Sequence, residues 1–294
     1  MAFEIDTSMH WTEHYVEHGF CVIKQAVPER FCTRVLATLQ EMLGTTLPPN
    51  AWTTETIDPG LVKSVRNGTP PPAFRTAVES IYDEPGLLAI LEAMFGDDRE
   101  WNGVRSAKTF VSLHDPANQP DKPQLAPWGH VDFVDRYIPI FGDGFTCQVS
   151  LVKSEPFSGN ITIYPGWHKL VQKVIVENPD FRFFKESAPS WQAIVPQVEP
   201  YEFVANPGDI LLFHHLVGHG QNLNYCASGM PRVCIHFLTM GKTWLNGIDP
   251  SVPGLSPWKR SLAHNGKIDL PHDDKEMTIR SMQARTKRNA KAAK

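Results

Sequence analysis

GDILLFHHLVGHGQNLN, residues 208–224, decides how this chain is read. A Gly208-Asp209 turn leads into an apolar run that reads as a strand, and His219-Gly220 follows it. Similar short apolar runs lie on both sides: SAKTFVSL (106–113), YIPIF (137–141), FTCQVSLV (145–152), ITIYP (161–165), EFVAN (202–206) and RVCIHFLTM (232–240). Turn-forming stretches separate them, among them PANQPDKP (116–123), EPFSGN (155–160) and NYCASGMP (224–231). Many short strands at close spacing predict a sandwich or barrel rather than alternating β-α units.

Toward the N-terminus the pattern is helical. WTEHYVEHGF (11–20) predicts a short helix ending at Gly19, and FCVIKQAV (20–27) a compact strand. PERFCTRVLATLQEML (28–43) reads as an amphipathic helix with Pro28 in its first turn and an apolar stripe of Phe31, Val35, Leu36, Leu39 and Leu43. Residues 45–75, rich in Pro, Thr and Gly, show no sustained period and read as an irregular stretch, either a lid or a plain surface loop; 115–127 reads the same way. A further helix is expected from Glu84 to Phe95, ended by Gly96. Beyond residue 245 the pattern weakens.

Composition excludes several classes. The chain has 294 residues, of which 41% are hydrophobic and 20% charged, as in ordinary globular proteins. The last ten residues hold Arg285, Lys287, Arg288, Lys291 and Lys294 and no acid, which leaves residues 1–284 with 23 basic against 32 acidic side chains, a net −9. An acidic body does not suit a phosphate backbone, so no nucleic-acid partner is expected. No apolar run approaches the length of a membrane span, so no membrane partner is expected either. Five scattered cysteines without C-x-x-C spacing indicate neither a disulfide framework nor a thiolate zinc site. With no leader pattern at MAFEIDTSMH, a reducing cytoplasm is the expected compartment.

Three pieces of the β-rich half carry chemistry. In WGHVDF, His130 and Asp132 are one residue apart, and on a strand both present ligand atoms to the same side. An imidazole and a carboxylate suit Fe(II). A second such pair, His272 and Asp274, has no histidine after it to complete a site. His219 is the preferred third ligand, giving two histidines and one carboxylate on one metal face. His214 and His215 compete for that role; as neighbours on a strand they are expected to point to opposite faces. Arg232, at the start of RVCIHFLTM, can grip a dicarboxylic acid through a bidentate, charge-assisted pair.

From about residue 11 to residue 240 the chain resembles the phytanoyl-CoA dioxygenase family of Fe(II)- and 2-oxoglutarate-dependent oxygenases. The resemblance lies in GFCVIKQAV and its following helix, the HVD triplet, SGNITIYPGWHK, and GDILLFHHLVGHGQNLN with Arg232 beyond. PGWHK (165–169) matches a family motif, while Ser158-Gly159 replaces its N-G turn. The resemblance implies an all-β core with flanking helices, a double-stranded β-helix (jelly-roll, cupin-like) barrel. Because the ligands must converge, it implies a single domain over residues 1–294, with a helical flank 1–99, a core 100–245 and a C-terminal extension 246–294. It gives His130, Asp132 and His219 the role of iron ligands and Arg232 that of the clamp on the far carboxylate of 2-oxoglutarate. Gln221 stands where a serine or threonine often assists the clamp, Gln148 where an aromatic residue often sits, and Lys108 is a further candidate contact. An acid at Asp132 argues against the related halogenases, which have a small residue there.

The implied activity uses Fe(II), 2-oxoglutarate and O2 to oxidise an unactivated C–H of a small-molecule metabolite, natural-product intermediates included, releasing succinate and CO2. An acyl-CoA thioester is the alternative substrate class, although the acidic composition shows no basic cluster for its phosphates. A non-catalytic β-barrel binding module is the alternative outside enzymes. His168 reads as a structural hydrogen-bonder, His236 as a satisfied strand histidine, and Trp128, Phe133, Tyr137 and Trp167 as pocket or core aromatics.

Overall fold

In the computed structural model, ten short strands and seven helices are described over residues 5, 7–67, 70–96, 107–125, 130–131, 134–135, 138–139, 144–177, 198–240 and 252–262. The helices are α1 (Trp11–His18), α2 (Glu29–Leu43), α3 (Pro59–Asn67), α4 (Pro72–Glu79), α5 (Pro85–Phe95), α6 (Trp167–Glu177) and α7 (Pro257–Leu262). The strands are β1 (Phe20–Ile23), β2 (Ala107–Ser112), β3 (Val134–Asp135), β4 (Ile138–Pro139), β5 (Gly144–Ser150), β6 (Ile161–Tyr164), β7 (Tyr201–Glu202), β8 (Ile210–His214), β9 (Gly218–Gln221) and β10 (Arg232–Met240). None of the described helices is long and apolar enough to cross a membrane.

All strand pairs are antiparallel. The larger sheet has the order β1-β8-β5-β10-β2, a smaller one β7-β6-β9, and β3 pairs with β4. The alternation of β8 shows how the layers form. Ile210 and Leu212 join a hydrophobic cluster with α2, α4 and α5, while Leu211 and Phe213 join a second cluster with Ile161 and Ile163 of the smaller sheet. Such a strand is buried on both sides and therefore reads as a continuous apolar run. The architecture is antiparallel sheets flanked by helices, as the strand pattern predicts. Among the described strands no ladder joins the two sheets into a closed barrel.

The Pro-rich stretch 45–75 departs from expectation. It folds around Trp52, which is fully buried and donates its indole N–H to the Leu47 carbonyl (2.9 Å), and then forms α3 and the start of α4. Asp58 accepts from the Gly60 N–H (2.7 Å), with Pro59 opening α3 and Pro72 opening α4. At a first helical position proline loses no hydrogen bond and its φ is already helical, so these prolines start elements rather than break them. Val65, Phe74 and Val78 bury the helices against the sheet.

Candidate functional site

His219 lies on β9, opposite Ile163 of β6, and is only 4% exposed. Its other edge meets His130 in an isolated antiparallel bridge: His130 N–H donates to the His219 carbonyl (2.7 Å) and His219 N–H to the His130 carbonyl (2.8 Å). The two rings stand 4.4 Å apart, centroid to centroid, tilted by 50°. His219 Nδ1–H donates to the Val217 carbonyl (3.0 Å). That bond assigns the proton to Nδ1, which makes Nε2 the unprotonated nitrogen, the tautomer a metal-ligating imidazole uses. His130 is exposed, so the pair is seated in the protein on one side and open on the other. Asp132 lies outside the described residues, and among those residues no three His, Cys, Asp or Glu side chains gather as a metal site.

Close packing sets β9. A Cβ at Gly218 would collide with the indole of Trp167, the first residue of α6, so only glycine lets the strand carry His219 this near the helix. We predict that Gly218→Ala destabilises the chain by about 1–3 kcal/mol, the usual cost of overpacking, and weakens metal binding with it. A denaturant midpoint equal to that of the wild type would refute this packing account.

The other histidines of this stretch are placed differently from expectation. β8 ends at His214, and residues 215–217 turn rather than continue the strand. The Leu216 N–H donates to His214 Nδ1 (2.9 Å), and the rings of His214 and His215 stack at 4.4 Å instead of pointing to opposite faces. His168, by contrast, is the structural hydrogen-bonder expected: fully buried at the start of α6, it donates from Nε2–H to the Val16 carbonyl (3.2 Å). Trp167 is core, packed on Tyr164; Trp128, Phe133 and Tyr137 lie outside the described residues.

Arg232 begins β10 directly opposite Ser112 of β2. It is 4% exposed, its Nε has no hydrogen-bond partner, and no carboxylate among the described residues pairs with it. Burial pulls its guanidinium below the usual arginine range, and the positive charge of Arg66 acts the same way. A buried charge is costly unless matched, so this arrangement suits an anionic ligand. The turn at Ser158-Gly159 closes over the neighbouring strand: Gly159 adopts φ 75°, and the Ser112 hydroxyl occupies the space a Cβ would need.

Register places the remaining candidates. On β10, Arg232 and His236 share a face; His236 is opposite Gln148 of β5 and Lys108 of β2. Gln148 is buried and Lys108 exposed. Gln221 is on the smaller sheet, exposed at the end of β9 opposite Ile161. The structure thus brings His130 to His219, and lines up Arg232, Gln148 and Lys108 on one face of the larger sheet.

Ring contacts connect the two groups. Phe213 lies 4.7 Å from His219, His236 6.1 Å from Phe213, Phe110 5.3 Å from His236, and the Arg66 guanidinium 4.7 Å over Phe110. Phe213, Phe110 and Arg66 are not candidates by sequence spacing, because only strand register and the placement of α3 bring them together. Nor does the composition reveal that Arg66, Arg75 and Lys108 line one cavity; the expectation that no basic cluster exists does not hold for the folded chain.

No family model matches the sequence, and no curated protein matches it. Among solved structures, EvdO2 from Micromonospora carbonacea var. aurantiaca superposes with a TM-score of 0.50 at 16% identity, covering 88% of this chain and 98% of that one. The likeness is one of fold. HygX from Streptomyces hygroscopicus, solved with nickel and 2-oxoglutarate bound, gives 0.49 at 13% identity over 91% and 98%. SnoN, a non-heme alpha ketoglutarate dependent epimerase from nogalamycin biosynthesis, gives 0.47 at 13% over 90% and 90%. These two lower scores add nothing to the argument. A shared fold does not carry an activity, so function must be argued from the site.

Proposed function

We propose that this chain is an Fe(II)- and 2-oxoglutarate-dependent oxygenase of a small-molecule metabolite, as its resemblance to the phytanoyl-CoA dioxygenase family implies. The observation that carries the reading is the His130–His219 bridge, which joins two imidazoles far apart in sequence with the His219 Nδ1 proton already committed to a carbonyl. The residues fit the group. His130, Asp132 and His219 would hold the metal, and the buried Arg232, unpaired with any carboxylate among the described residues, would hold the far carboxylate of 2-oxoglutarate. Gln148 and Lys108, on the face of Arg232, and Gln221, at the end of β9, are the further co-substrate contacts we assign.

When bound, the metal supplies oxidation of an unactivated C–H by O2, coupled to decarboxylation of 2-oxoglutarate to succinate and CO2. The chain's own residues bind and orient. Val217 fixes the His219 ring, Arg232 neutralises and positions the dicarboxylate, and Phe213 with the buried strand side chains keeps one wall of the site dry. In this reading the two sheets divide the work: His219 on β9 of the smaller would serve the metal, and Arg232 on β10 of the larger would serve the co-substrate.

Anaerobic titration with Fe(II) and 2-oxoglutarate, followed by an aerobic assay for succinate, tests the reading. We expect binding of both, succinate release stimulated by the correct metabolite pool, and loss of both metal binding and succinate in Asp132→Ala. Binding without succinate under any metabolite pool would make the chain a binding module, and unchanged turnover in Asp132→Ala would remove the ligand set.

A further inference from the structure

Between α3, α4 and β2 lies a cavity of about 260 Å³ whose wall includes Arg66, Arg75, Lys108, Glu79 and Thr109. The helix cations Arg66 and Arg75 therefore face one carboxylate, with Lys108 at the rim on the oppositely directed position of β2, and none of the three makes an ion pair with an acid among the described residues. The Thr109 side chain is 2% exposed, and its hydroxyl has no hydrogen-bond partner among the described residues. Thr109 is opposite Ile235, whose side chain packs in the helix-side cluster, so the Thr109 side chain lies on the face toward α3 and α4, where it lines the cavity. Buried hydroxyls are nearly always hydrogen-bonded. Cations without acids beside an unsatisfied hydroxyl make a receptor for an oxyanion.

The cavity is not isolated from the candidate site. β2 is the edge strand of the larger sheet, and Arg66 reaches past it to lie over Phe110. Phe110 contacts His236, and the row of rings continues through Phe213 to His219. An aromatic row with a guanidinium at one end and a metal-ligating histidine at the other matches a molecule with an apolar body and one anionic end.

We propose that the Arg66–Arg75 cavity binds the phosphate or carboxylate group of the substrate, whose apolar body crosses the edge of β2 and lies against Phe110 and His236 in the direction of His219. The anion site stands on its own geometry; that its occupant is the substrate rests on the oxygenase reading above.

The test uses the full-length, metal-free chain and three small probes, phenyl phosphate, benzoate and phenol, titrated at constant ionic strength. We expect the better of the two anions to bind at least about tenfold more tightly than phenol, as one or two charge-assisted hydrogen bonds supply. The preferred anion tells phosphate from carboxylate. The Arg66→Gln/Arg75→Gln double variant should lose that advantage while keeping its melting temperature and its affinity for 2-oxoglutarate. If the double variant melts early, Arg75→Glu alone, on an exposed position of α4, is expected to weaken the same anion at least about tenfold. Equal binding of phenol and the anions overturns the proposal, as does full anion binding in the charge variants. Anion binding abolished by Arg232→Met but kept in the double variant would also overturn it, because the anion would then occupy the co-substrate site. All arms are read without metal, so failure here leaves the succinate assay intact, and the reverse.

Discussion

His219→Ala is expected to lower Fe(II) affinity by at least about 100-fold and to reduce succinate formation to background. Even residues that only orient a metal ligand cost about 10–100-fold when removed, so loss of the ligand itself sets the lower bound. The geometry makes this a sharp test, because three histidines lie within six residues. His219 is bridged to His130, with rings 4.4 Å apart. His214 is buried at the end of β8, where its Nδ1 accepts from the Leu216 N–H, and its ring stacks on His215. His214→Ala should therefore lower stability by about 1–3 kcal/mol, as loss of a buried hydrogen bond does, while leaving Fe(II) affinity close to that of the wild type. Anaerobic Fe(II) titration of both variants separates the two roles. Wild-type affinity in His219→Ala, with loss in His214→Ala, would exchange the assignments and undo the site.

Much of this arrangement is legible in sequence because it depends on local pattern. Most of the described strands between residues 107 and 240 fall on the short apolar runs, α1 stops at Gly19, and four of the five stripe residues of α2 are buried, with Leu36 partly so. What is not legible depends on competition or on register. Proline marks a break or a helix start with the same letter, and at Pro59 and Pro72 it is the start, because Asp58 and the buried Trp52, Val65 and Phe74 anchor the surrounding chain. The turn at 215–217 contains neither glycine nor proline; a side-chain nitrogen of His214 supplies the bond that a turn-forming residue ordinarily would. The row from His219 to Arg66 joins residues from four strands and one helix, and nothing in a linear pattern encodes which of them face one another. The anion-binding character of the edge is hidden for the same reason. Its cations come from α3, α4 and β2 of a chain whose overall charge is −4.

Arg232→Met is expected to move stability and co-substrate binding in opposite directions. A buried guanidinium with no carboxylate beside it among the described residues carries a desolvation cost, and Arg66 adds like-charge repulsion. Replacing buried charged groups by apolar side chains of similar size is often neutral or stabilising by about 1–4 kcal/mol, so the metal-free, co-substrate-free variant should melt no lower than the wild type. Adding 2-oxoglutarate reverses the order. The wild type gains stability by mass action, about 2.7 kcal/mol at a hundredfold excess over Kd, whereas the variant, having lost a bidentate charge-assisted pair, gains little. In turnover the concentration of 2-oxoglutarate giving half-maximal rate should rise at least about tenfold, with the requirement for the main substrate nearly unchanged. Paired melting curves with and without 2-oxoglutarate, read beside the two saturation curves, distinguish this from a structural role. A residue that merely held β10 against Ser112 would lower stability in both states and leave the co-substrate requirement alone. The opposite signs follow from one physical fact, that the charge is buried with no carboxylate beside it among the described residues.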